Sequence, residues 1–127
     1  MGTYTSGAKT AIQNMLAVAS KANPVFTGSI SLGRKANTTI GENSFAIGLN
    51  VEASGEKSYA EGEDTQALDW VDHAEGYNTI ASGMVSHAEG SETVASGWTA
   101  HAEGSLTVAS GESSHAGGHE TEANGDN

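Results

Sequence analysis

Ser86–Thr99 reads SHAEGSETVASGWT and Ala100–Ser113 reads AHAEGSLTVASGES, so one 14-residue unit follows another with nearly the same residue type in every slot. Self-similarity at a short, fixed period marks a stacked repeat rather than a conventional globular core. With the Ser of SHAEG as position 1, coils begin at Ser29, Ser44, Ser58, Asp72, Ser86, Ala100 and Ser114, and only the first carries an extra residue. Position 5 is glycine from Gly33 to Gly118, and a second glycine closes the other half of the coil at Gly55, Gly83, Gly97, Gly111 and Gly125. Two glycines per coil predict two sharp corners taken through positive φ, and therefore two short strands per coil. Parallel stacking of such coils gives an all-β solenoid rising ~4.8 Å per coil, about 34 Å over its length.

Alternation along a strand decides which side chains enter the interior. Position 3 is Ala in Ala46, Ala60, Ala74, Ala88, Ala102 and Ala116; position 8 is Val51 and then Thr65, Thr79, Thr93, Thr107 and Thr121; position 10 is Ala from Ala53 to Ala123. Three small side chains per coil bury too little apolar area to offset ordering of the backbone at ~1–2 kcal/mol per residue. Burial between chains is therefore expected to complete the fold, and a homo-oligomer about the rod axis is its simplest form.

Composition narrows the function classes. All five basic residues lie within the first 57 positions, and the 70 residues after them hold 13 acids and no Lys or Arg. Such a body repels phosphate backbones and anionic lipid, which argues against nucleic acid and against membrane insertion as partners. Cysteine is absent, so disulfides contribute nothing, and the N-terminus lacks the basic start and apolar run of a signal peptide.

Residues 1–28 form a separate leader. Ile12, Met15, Leu16 and Ala19 share one helical face between Ala8 and Lys21, Asn23-Pro24 ends that helix, and Val25–Leu32 alternates as the strand entering the repeat. A short amphipathic helix needs a partner for its apolar stripe, either sister helices capping the rod or another protein. The chain is thus read as a helical attachment or capping segment, 1–28, followed by a seven-coil repeat domain, 29–127.

The coils SFAIGLNVEASGEK and SHAEGSETVASGWT resemble the repeats of YadA-like heads in trimeric autotransporter adhesins, and the likeness runs over about residues 24–127. It implies a left-handed parallel β-roll, a homotrimer and a non-enzymatic role. The SHAEG form, with the lead-in NPVFTGSISLG, also resembles phage tail and head-fibre proteins. The expected object is therefore a structural fibre of a phage virion, at the virion or extracellular surface. Its leader would sit on a capsid, tail or other virion protein, and its surface would meet host glycan or a receptor. The alternatives are a bacterial trimeric adhesin head and, as an enzyme, a trimeric β-helix glycan lyase.

Two outward features are candidate sites. Positions 2 and 4 share a face that begins apolar, with Phe45 and Ile47, passes through Tyr59, and becomes His73 with Glu75, His87 with Glu89 and His101 with Glu103. These residues are expected to line the trimer interface. There, carboxylates would raise the histidine pKa, giving a stabilisation complete below ~6.5 and lost at higher pH. No cofactor is expected, and no metal either, since one His per coil lacks a second ligand nearby in sequence; the rival reading places a Zn or Ni ion in each coil, on the three copies of His73, His87, His101 or His115 around a threefold axis. Position 13 carries Trp70, Met84 and Trp98, a stripe that either packs on a neighbouring chain or contacts a host surface, and Ile80, Val94 and Val108 at position 9 pose the same choice. The third coil departs from the pattern at Leu68–Val71, with Asp69 in the glycine slot. Asp64, Asp69, Asp72 and Tyr77 nearby are the acids and phenol that a lyase would draw on.

Overall fold

The computed structural model describes residues 28–125. The predicted helix at 8–21 lies outside them, and among the described residues there is no helix. Twelve strands follow one another: β1 (Ile30–Arg34), β2 (Phe45–Ala53), β3 (Tyr59–Glu63), β4 (Gln66–Ala67), β5 (His73–Tyr77), β6 (Ile80–Ala81), β7 (His87–Ser91), β8 (Val94–Ala95), β9 (His101–Ser105), β10 (Val108–Ala109), β11 (His115–His119) and β12 (Glu122–Ala123). Of the expected entering strand Val25–Leu32, residues 25–27 lie outside the described residues; β1 covers Ile30 onward and runs to Arg34, two residues beyond Leu32.

Each regular coil contributes a five-residue strand over positions 2–6 and a two-residue strand over positions 9–10, and every pairing is parallel to the coil before it. The longer strands stack as one face, β1-β2-β3-β5-β7-β9-β11; the end of β2 and β4-β6-β8-β10-β12 stack as the other. Register is residue for residue, as in His73↔His87, Ala74↔Ala88 and Glu75↔Glu89. In the first coil β1 and β2 slip between Leu32 and Arg34, where Gly33 alone faces Gly48–Asn50, and the surplus residues follow Arg34, before the Gly41 N–H donates to the Ala53 carbonyl as that of Gly55 does to Ala67.

The interior is as narrow as the alternation demands. Ala46, Val51, Ala53, Ala60, Thr65, Ala67 and their equivalents through Ala109 are fully buried, and among the described residues no fully buried side chain is larger than valine. Position 1 also faces inward, through Ser44, Ser58, Asp72, Ser86, Ala100 and Ser114. This slot lies two residues before position 3 and so shares its inward side, although it stands outside the strand, directly after a corner.

The corners differ from expectation in a physically instructive way. Position 5 takes positive φ, as Gly90 does at 109°, but the glycines of position 12 do not; in the coils from Ser44 onward the other left-handed residues are positions 7 and 14. These include Asn50 and Asn78, at ease there, but also Val71, Val85 and Thr99, whose branched side chains disfavour it. Inter-coil hydrogen bonds hold them: the Val85 N–H donates to the Trp70 carbonyl and the Thr99 N–H to that of Met84. At the other corner, the Asn78 N–H donates to Glu63 and the Glu92 N–H to Tyr77. Position 12 is glycine for a different reason. A Cβ on Gly97 would run into the Gly111 carbonyl of the next coil.

Gly90 combines both requirements, since a Cβ there would also meet the Gly104 carbonyl, whereas one on Gly118 finds nothing closer than the Thr121 methyl at 3.9 Å. Gly90→Ala is therefore expected to prevent assembly of the coil stack, and Gly118→Ala to cost only the backbone strain, about 1–3 kcal/mol. Urea unfolding of both variants checks this; equal losses would contradict it.

Candidate functional site: the outward ladders

Positions 2 and 4 project outward from the sheet of longer strands, and stacking turns each into a column. Phe45 and Tyr59 stack with ring centroids 5.0 Å apart, and Tyr59 meets His73 edge-on at 4.8 Å. His73, His87, His101 and His115 then continue as parallel rings at 4.5, 4.8 and 4.8 Å. Beside them, Ile47, Glu61, Glu75, Glu89 and Glu103 occupy matching rungs. The change from apolar to His and Glu therefore happens within one continuous face. Ile30, Phe45 and Tyr59 on it are half-buried and Leu32 and Ile47 are exposed.

The two columns interlock within a single chain. His87 Nε2 lies 3.9 Å from a Glu75 oxygen and 3.8 Å from a Glu89 oxygen, and His115 Nε2 lies 3.3 Å from Glu103. The Tyr59 hydroxyl donates to Glu61 at 2.7 Å. Stacking thus supplies His87 with the neighbours that its isolation in sequence withheld: another imidazole one coil away and carboxylates from two coils, whereas His115, with Gly117 at position 4, meets the carboxylate of Glu103 alone.

The expected direction of the histidine shift is reversed. Loss of solvent holds the His73 pKa below its ordinary value, against the pull of Glu61 and Glu89. His87 is lowered by the same desolvation and then by the imidazoles of His73 and His101, with Glu89 and Glu103 opposing. Glu75 is raised, first through its hydrogen bond with Glu89 and then by burial and by the charges of Glu89 and Glu61. A rung of like carboxylates repels, and sharing a proton relieves it.

The sequence interruption has a structural explanation. Asp72 is buried, its Oδ2 accepting the Asp69 N–H at 2.8 Å and its Oδ1 accepting the Ser86 N–H and hydroxyl at 2.9 Å each. In a regular coil the position 1 hydroxyl instead donates to the position 12 carbonyl, as Ser58 does to Gly55 at 2.7 Å. Asp69 and Asp72 are thus one paired change that rewires a corner from inside. Burial raises the Asp72 pKa, and the Ser86 and Asp69 hydrogen bonds counter it. The four residues that a lyase reading would combine are not brought together: Asp72 is inside the coil, Tyr77 is exposed, and Asp64 accepts a hydrogen bond from Asn50 at another corner.

The position 13 stripe is exposed, with Trp70 at 43%, Met84 at 45% and Trp98 at 54% of full accessibility. Lys57 Nζ sits 6.0 Å over the Trp70 ring. Leu68 and Val85 add apolar surface beside it. Ile80, Val94 and Val108 form a second, half-buried column on the outer side of the short strands.

The YadA head domain repeat is the family whose model matches the chain, in two copies over residues 27–50. No curated protein and no solved structure matches. The matched stretch holds the first coil and the start of β2, and the SHAEG coils continue it without a break in register, Phe45 over Tyr59 over His73.

Two measurements test this geometry. Because the His73 and His87 pKa values are depressed, their contribution is complete above the unfolded value of ~6.5 and is lost as pH falls through the folded values. In metal-free buffer, lowering the pH from about 8 to 5.5 should cost the wild type more melting temperature than it costs His87→Phe, which copies the stacking of Phe45, while the raised Glu75 and Asp72 carboxyls act in the opposite sense in both; identical trends in the two proteins contradict the assignment. Separately, Asp72→Ala should lower the unfolding free energy by about 1–3 kcal/mol. Adding Asp69→Gly should recover part of that loss, and strictly additive effects in this double-mutant cycle would disprove the pairing.

Proposed function

We propose that the chain is a homotrimeric, adhesin-like head module, a non-enzymatic projection displayed at a surface, in the manner of the bacterial trimeric adhesin heads whose repeat it matches. The observation that carries this reading is the continuous outward face of positions 2 and 4. It begins with apolar residues left half-buried or exposed on a single chain, on a solenoid whose interior holds nothing larger than valine. Three such faces about a common axis bury Phe45, Ile47 and Tyr59 and bring His73, Glu75, His87, Glu89, His101 and Glu103 of the three chains together. Trp70, Met84 and Trp98 remain outside as the contact stripe, of the kind that stacks on sugar rings or seats a receptor.

The second reading, a fibre of a phage virion attached through residues 1–28 to a capsid or tail protein, is favoured by the SHAEG form and the NPVFTGSISLG lead-in. The adhesin head is preferred because its repeat model matches the first coils directly. Light scattering on the full chain should give the mass of three chains, and Phe45→Glu with Ile47→Glu should reduce it to one. Trp98→Ala should keep the trimer and lose binding on a glycan array or to intact cells. A monomeric wild type would overturn the proposal, and dissociation by Trp98→Ala would move the stripe into the interface.

A further inference from the structure

The imidazole and carboxylate ladders, which the proposed trimer would bring together, hold donors that the fold of a single chain leaves unsatisfied. The Nε2 atoms of His73, His87 and His101 are buried and make no hydrogen bond among the described residues. Around them, His73, Glu75 and His87 bring one ligand atom each within 4.8 Å of one another, and Glu89, His101 and Glu103 do the same one step along the rod. All six side chains are half-buried, open to solvent on one side and backed by the sheet on the other. A single chain presents each set whole, because coil stacking places His87 directly over His73 with Glu75 alongside.

We infer that His73, Glu75 and His87 hold a divalent transition-metal ion, with Glu89, His101 and Glu103 a second and weaker site. The chemistry of the donors selects the ion. Two imidazole nitrogens and one carboxylate oxygen suit Zn²⁺, Ni²⁺ or Cu²⁺ and leave a coordination position for water, whereas Mg²⁺ and Ca²⁺ prefer oxygen alone. The second set has one nitrogen and two oxygens, hence its lower affinity for the same ions. Zn²⁺ held at ~2.0–2.1 Å from each donor requires the ligand atoms to close by about an ångström, which rotation of half-exposed side chains supplies without moving the sheet.

Charge favours the same conclusion. Glu61, Glu75, Glu89 and Glu103 stack at the spacing of adjacent strands, and the chain carries no Lys or Arg beyond Lys57 to neutralise them. A dication between Glu75 and the imidazoles offsets that repulsion. The inference is independent of the trimer, because each donor set belongs to one chain.

Isothermal titration of the chelator-treated full chain with Zn²⁺, alongside light scattering, tests both points separately. The expected result is a saturable tight phase of one ion per chain, displaced by Ni²⁺ and unaffected by Mg²⁺. His87→Ala and Glu75→Gln should weaken it at least about tenfold, the lower bound set by the loss of a mere outer-shell partner, while Glu103→Gln leaves it intact. Glu75→Gln preserves side-chain size, so it remains informative if His87→Ala disturbs the stack. The inference is overturned if there is no saturable binding, if the tight phase survives both His87→Ala and Glu75→Gln, or if Glu103→Gln abolishes it. Failure here with an intact trimer leaves the proposed role standing, and a monomer that binds Zn²⁺ in this pattern does the reverse.

Discussion

The parallel hydrogen-bond ladder between successive coils is the constraint from which the rest of the structure follows. Because the register is residue for residue, each position of the 14-residue unit is placed beside its own equivalent. Repetition in sequence therefore becomes a column in space. An Ala column closes the interior, a Gly column lets backbones approach, and His and Glu columns set like groups side by side at a spacing the backbone dictates. No side chain chooses its neighbour here.

The same constraint explains how unfavourable corners are tolerated. Val71, Val85 and Thr99 adopt a left-handed conformation that branched residues avoid, yet each N–H reaches the carbonyl of the previous coil. A lone corner of this kind would relax, but in a stack every corner is fixed by the one before it and supports the one after. The Asp69–Asp72 pair is the exception that clarifies the rule. Once Asp replaces Gly at position 12, the corner is rebuilt with a buried carboxylate as acceptor, and the neighbouring coils keep their register.

A narrow wall lined almost entirely with Ala, Ser and Thr, in which the buried Asp72 carboxylate is taken up by hydrogen bonds of its own corner, leaves function to the outward positions. There the solenoid offers two different surfaces: a flat face of stacked aromatic, imidazole and carboxylate groups, and a corner stripe of Trp and Met. The first has the regularity that suits association with copies of itself and capture of cations; the second has the exposed aromatic character that suits an unlike partner. The two surfaces are built from different residues.

The 14-residue period, the all-β parallel stack and the inward Ala and Thr positions were legible in SHAEGSETVASGWT, because strand alternation and glycine spacing are local properties. So was the outward placement of His73, Glu75 and Trp98. Position 1 turns inward with position 3, but only the structure shows that the inward side extends past the strand to the corner, and the need for glycine at position 12 has no local signature, because it comes from a steric clash with the next coil. The His73 and His87 shifts and the shared donor set with Glu75 depended on groups fourteen residues apart meeting within 5 Å. Sequence determined which residues repeat; only the tertiary stack decided that each would meet its own copy, since that proximity is imposed by backbone hydrogen bonds between coils.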